Sequence, residues 1–194
     1  AIPALRLRPE SRALLLYAPL KSYLQSIVKK EMWGRIWVRD VLLGTLKDGY
    51  ALGGFSPEEL LQLTDLQVAA IGWLSQHAAF AKILTTIGDE RVKTLDSDSF
   101  LARQPETMTA LDALFGLGMD EATIMKSVNG PAFKSHSKLD QAKTGEIFDA
   151  QTRQKEQNRM AELHGAEIDM VVQWGKAVAE SQQIDFDLNS KLLN

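Results

Sequence analysis

Arg12-Ala-Leu-Leu-Leu-Tyr-Ala-Pro-Leu-Lys-Ser-Tyr-Leu-Gln-Ser26 is the stretch on which the fold turns. Residues 13–17 are a short apolar run, too brief for a helix and suited to a buried strand. Ala18-Pro19 ends it, because proline donates no backbone hydrogen bond and pushes the residue before it toward extended geometry. From Leu20 the spacing becomes helical, with Leu20, Tyr23, Leu24, Ile27 and Val28 on one face. The junction is thus strand, sharp turn, amphipathic helix. In α/β proteins such a junction lies at the carboxyl end of a strand, where ligands bind. A helix start also offers free N–H groups and a positive dipole end to an anion. Lys21 and Ser22 fall in that first turn. A plain connection with a solvated lysine is the commoner use of the same pattern.

Working outward, residues 1–12 form a basic entry segment with Arg6, Arg8 and Arg12. The chain opens on Ala1 rather than Met and reaches a core-like strand by residue 13, so either processing or a preceding segment is expected. The helix from Leu20 is expected to run to Trp33, with lysines in its last turn and Gly34 as its cap. A second helix is expected over 35–48. Lys29, Lys30, Arg35 and Arg39 with Trp33 and Trp37 make the most basic neighbourhood. It could hold a nucleotide by charge and stacking, but a core-facing tryptophan pair with solvated charges is the reading preferred.

Ser56-Pro57-Glu58-Glu59 is a helix start. Helix then runs to about residue 87, with a second start at Thr64-Asp65. Its apolar second part reads as the central helix, with Trp73 and Phe80 buried and His77 satisfied inside. Residues 91–95 read as a second strand, parallel to the first because a long helical connection separates them. Further helices are expected over 105–115, closed by Gly116, and from Asp120 to about Val128. Phe133 to Lys138 is a polar, basic loop of the kind that carries function. A long helix is expected over 145–181, polar at first and amphipathic later, and 182–194 reads as a tail. The expected class is therefore α/β and predominantly helical, a small parallel sheet flanked by helices in a single domain over 1–194.

Composition excludes several functions. Net charge is −3, which argues against a general nucleic-acid or membrane-surface binder. There is no cysteine, hence no disulfide, and the expected location is cytoplasmic. No apolar run has the length of a membrane span. The glycine-rich phosphate loops and the G-x-S-x-G elbow are missing. His77, His136 and His164 have no metal-ligand spacing, so no metal is expected.

Two stretches carry a family resemblance. Leu14 to Ser26 resembles the central strand-turn-helix of sulfotransferases, and Val92 to Leu117 resembles their later strand, acidic pair, proline and helix ending in Phe-x-Gly-Leu. Phe133-Lys-Ser-His-Ser-Lys138 is similar to a polar loop of bacterial members. Tyr17 stands where the family has the arginine that holds the 3′-phosphate, Ser26 lies one place after the matching serine position, and the family's phosphate loop is not in this sequence. The resemblance implies the C-terminal part of a P-loop sulfotransferase-like domain, truncated or degenerate. It implies transfer of a sulfuryl group from 3′-phosphoadenosine 5′-phosphosulfate to a hydroxyl or amine. Lys21, Ser22 and Ser26 would face the nucleotide, with Lys134, His136 and Lys138 closing over it; no catalytic base is assigned. The alternative is a non-catalytic helical interaction module, in which 145–181 pairs with a partner or a second copy.

Overall fold

A computed structural model describes residues 2–47, 54–134 and 150–193. Helix α1 (Ile2–Leu7) leads into strand β1 (Ala13–Tyr17), followed by α2 (Leu20–Val28), α3 (Glu31–Lys47), α4 (Pro57–Gln62) and α5 (Asp65–Ile87). Strand β2 (Val92–Asp96) then precedes α6 (Ser97–Ala102), α7 (Gln104–Phe115), α8 (Glu121–Val128), α9 (Pro131–Lys134) and α10 (Ala150–Ser181). The chain is mainly helical, and β1 and β2 pair in parallel, Ala13 opposite Val92 and Tyr17 opposite Asp96. The helices between them supply the crossover a parallel pair requires. The second strand lies one residue later than its pattern suggested.

Local chemistry starts most helices where the sequence placed them. Ser56 and Glu59 form a reciprocal capping box on α4, and Thr64 with Gln67 does so on α5. Asp120 caps α8, and Gly116, at φ +64°, closes α7 in the left-handed region that glycine enters without strain.

Two cores follow from how α5 is shared. Its first half lies in a helical bundle, where Leu66, Ile71 and Leu74 pack with Leu24 and Ile27 of α2, Val38 of α3 and Ile168 of α10. Its second half lies under the sheet, where Ile83 meets Leu5, Leu15 and Val92. Trp73 is buried as expected, but Phe80 is only half-buried, because it lies at the rim of this smaller core.

Four further expectations are corrected. Helix α2 stops at Val28, not Trp33, and the chain turns through Lys29 and Lys30 to Glu31, at φ +52°. Gly34 is buried inside α3 rather than capping α2. A side chain there would collide with the Ile27 carbonyl oxygen, so Gly34 serves the close approach of two helices. The lysines still sit at a helix end, where they suit the dipole of the shorter α2.

The tryptophan pair is also not core-facing, since Trp33 is 78% and Trp37 47% exposed. Val38 and Leu42 occupy the inner face of α3 instead. The last residues are no free tail. The Thr94 N–H donates to the Ser190 carbonyl (2.9 Å) and the Leu192 N–H to the Thr94 carbonyl (2.8 Å), so the segment runs parallel along the outer edge of β2. Leu188 is 1% exposed.

Candidate functional site at the carboxyl ends of the strands

Both strands end on one side of the molecule, where the chain passes into α2 and α6. The turn after β1 is held from below, because the Trp73 indole N–H donates to the Ala18 carbonyl (2.7 Å). Pro19 then starts α2 as its N-cap residue and makes no side-chain cap hydrogen bond. The turn after β2 is closed by Asp96, whose carboxylate accepts from the N–H groups of Asp98 and Ser99. An open cleft of ≈ 210 Å³ lies here, lined by Tyr17, Thr94, Asp96, Ser99, Arg103 and Lys191, with Leu193 at its edge. The C-terminal segment therefore forms one wall.

The floor beside the cleft is aromatic. The His77 ring stacks on Trp73 at 3.4 Å between centroids and meets Tyr17 edge-on at 4.9 Å, while Phe186 lies 5.0 Å from Trp73. The His77 Nδ1–H donates to the Trp73 carbonyl (3.2 Å), which leaves Nε2 as an acceptor without a partner among the described residues. Burial pushes the His77 pKa down to about 4, against smaller opposing effects of the Trp73 carbonyl and Asp187, so the ring is neutral at pH 7. Burial pushes the Tyr17 phenol up, reinforced by the carboxylates of Asp96 and Asp187. Tyr17 therefore remains a protonated hydroxyl.

Of the expected anion contacts, Lys21, Ser22 and Ser26 all lie on α2, and each already has a partner. Lys21 Nζ is 2.7 Å from Asp169 of α10, and both side chains are largely exposed. Ser22 donates to Asp98 at 2.5 Å, joining the first turns of α2 and α6. Ser26 points back along its own helix, donating to the Tyr23 carbonyl (2.7 Å). Lys134 ends α9, while His136 and Lys138 lie outside the described residues. In the basic neighbourhood of α3, Arg35 and Arg39 both reach Asp65 at the start of α5, and Arg39 also donates to the carbonyls of Leu60 and Leu63.

Asp98, Ser99, Arg103 and Lys191 were not singled out from sequence. The first two were findable, since Asp96-Ser97-Asp98-Ser99 is a helix start at a strand end. Lys191 carries no local signal, because its place depends on a pairing across the sheet. Among the described residues no helix is long and apolar enough to cross a membrane, and no group of three or more acidic or histidine side chains could hold a metal. No family model matches the chain, and neither does any curated protein or solved structure.

Proposed function

We propose that the carboxyl ends of β1 and β2 form part of a nucleotide site of sulfotransferase type, one that takes 3′-phosphoadenosine 5′-phosphosulfate or its bisphosphate product. The observation that carries the reading is the uncapped start of α2, nine residues long and directly after the end of a strand in a parallel pair. Its N-cap residue, Pro19, offers the first turn no side-chain acceptor, and such a helix start is the position that suits an anion in α/β folds. The donor set fits a phosphate: the Lys21 ammonium, the Ser22 hydroxyl and the helix end. The Lys21–Asp169 pair is exposed on both sides, and such pairs are worth about 0–1 kcal/mol, so a phosphate can displace the carboxylate. Sulfuryl transfer to a hydroxyl or amine asks for cations around the leaving phosphate and a base at the acceptor. Lys21 would supply one cation, with Lys134 at the end of α9 and His136 and Lys138 from the segment that the resemblance brings over the nucleotide. Tyr17 offers a hydroxyl in place of a guanidinium, so one bidentate charge-assisted contact is lost and affinity is expected to be weak.

Titration calorimetry with adenosine 3′,5′-bisphosphate tests this. Expected is weak binding that weakens further at high salt and is lost in Lys21→Ala/Ser22→Ala. Binding unchanged in that double variant would place the site elsewhere. Absence of heat at millimolar ligand would leave the second reading, a non-catalytic interaction module. That reading is favoured by one observation: Lys21 and Ser22 already spend their polar groups on Asp169 and Asp98, tying α2 to α10 and α6.

A further inference from the structure

The open cleft at the carboxyl ends of the strands is lined by neither Lys21 nor Ser22. Its polar groups come from three other places. Tyr17 and Asp96 end the two strands, Ser99 lies in α6 with Arg103 just after it, and Lys191 comes from the C-terminal segment. Among the described residues, the Tyr17 hydroxyl, the Ser99 hydroxyl, the Lys191 ammonium and one of the two Asp96 carboxylate oxygens make no hydrogen bond or ion pair. Groups from distant parts of the chain thus converge on one hollow with hydrogen-bonding capacity that the fold does not use, the arrangement of a small-molecule site.

The charges are sorted by depth. Asp96 and Tyr17 are half-buried, whereas Lys191 and Arg103 are exposed. The inner part is acidic: besides burial, the carboxylates of Asp96 and Asp187 hold the Tyr17 phenol protonated. The mouth is basic, chiefly through Lys191, since Arg103 already pairs with Glu106. A simple anion would meet Asp96 on entering, and a simple cation would have to pass Lys191 and Arg103 at the rim. A zwitterion meets neither cost. Its ammonium can donate to Asp96 and to the Tyr17 oxygen, while its carboxylate accepts from Lys191 and the Ser99 hydroxyl. The volume of ≈ 210 Å³ is below the about 300–1,000 Å³ of sites for drug-sized ligands, so the molecule is small. Leu193 at the edge leaves an apolar contact for a short side chain.

We propose that this cleft binds a small α-amino acid, with its ammonium inward on Asp96 and its carboxylate outward on Lys191. The proposal is independent of the nucleotide site, because the two share no residue that either depends on. Titration calorimetry of the full chain with glycine, L-alanine, L-serine and L-threonine tests it. The best of the four is expected to bind in the millimolar range, since so small a ligand has few atoms with which to gain affinity. Its N-acetyl derivative, which lacks the ammonium, and its amide, which lacks the carboxylate, should each bind at least about tenfold more weakly. Lys191→Ala should weaken binding about tenfold, and Lys191→Arg should restore it by returning the charge. Asp96→Asn should also weaken binding about tenfold while keeping α6 in place, because asparagine caps a helix as well as aspartate does. Lys126→Ala, at an exposed position of α8, should change nothing. Circular dichroism checks that each variant is folded; if Asp96→Asn is not, the two derivatives and the Lys191 pair decide. Absence of heat from all four amino acids at about 50 mM would overturn the proposal. So would a derivative that binds as tightly as its parent, or binding that Lys191→Ala leaves unchanged.

Discussion

Leu188→Ala separates a free tail from a built-in edge. Leu188 is 1% exposed and sits where the C-terminal segment turns along β2. Three hydrogen bonds hold the segment directly after Leu188: Thr94 Oγ1–H to the Asn189 carbonyl (3.0 Å), Ser190 Oγ–H to the Val92 carbonyl (2.8 Å) and Thr94 N–H to the Ser190 carbonyl (2.9 Å). Held there, the backbone resists sliding inward to fill the space. Truncation therefore loses the transfer free energy of three carbons, about 2 kcal/mol, plus a cavity contribution, for a total of about 3 kcal/mol. A change on a free tail would stay within about 0.5 kcal/mol. Urea unfolding followed by circular dichroism measures the difference, with an unchanged slope showing that the same surface is exposed on unfolding. The midpoint of thermal unfolding should fall by about 6–12 °C in a chain of this size. A loss below 1 kcal/mol would mean that the C-terminal segment is not part of the folded unit.

Gly34→Ala should destabilise by more than about 2 kcal/mol, although alanine is the better helix former, because its Cβ meets the Ile27 carbonyl and drives α2 from α3; a stabilised variant in the same urea assay would contradict that packing. Phe80→Ala should cost about 2 kcal/mol rather than the 3–5 kcal/mol of a fully buried aromatic, since the ring is half-buried at the edge of the smaller core. The buried His77 contributes a pH dependence. Its folded pKa, about 4, lies below the unfolded value of 6.5, so the unfolded chain takes up the proton first. Stability is full above pH 6.5 and falls by about 3 kcal/mol as the pH drops to 4, and His77→Phe should flatten that limb when unfolding free energies are compared at pH 7 and pH 4.5. An equal slope in both proteins would show that other groups carry it.

The sequence by itself determined whatever depends on neighbours a few residues away. The strand 13–17, the break at Ala18-Pro19, the caps at Ser56, Thr64 and Asp120 and the stop at Gly116 are all visible, because each is set by one residue's hydrogen-bonding or backbone geometry. The parallel direction of the strands also follows, since the helices between them leave room for a crossover. Tertiary structure decided the rest. Gly34 reads as a helix stop until Ile27 is placed against it. The face of α3 that turns inward could not be chosen locally, because Val38 and Leu42 on one side are matched by Ile36, Trp37 and Val41 on the other. The final residues have no period to read, since what orders them is main-chain pairing with Thr94, about 95 residues earlier. The candidate site shows the same division. The strand-turn-helix at β1 was legible from the local pattern, whereas the partners of its polar groups were not: Lys21 meets Asp169 across 148 residues and Ser22 meets Asp98 across 76. Charge pairs between surfaces leave no trace in the local pattern, because any of the chain's many carboxylates satisfies a lysine equally well until packing brings one of them within reach.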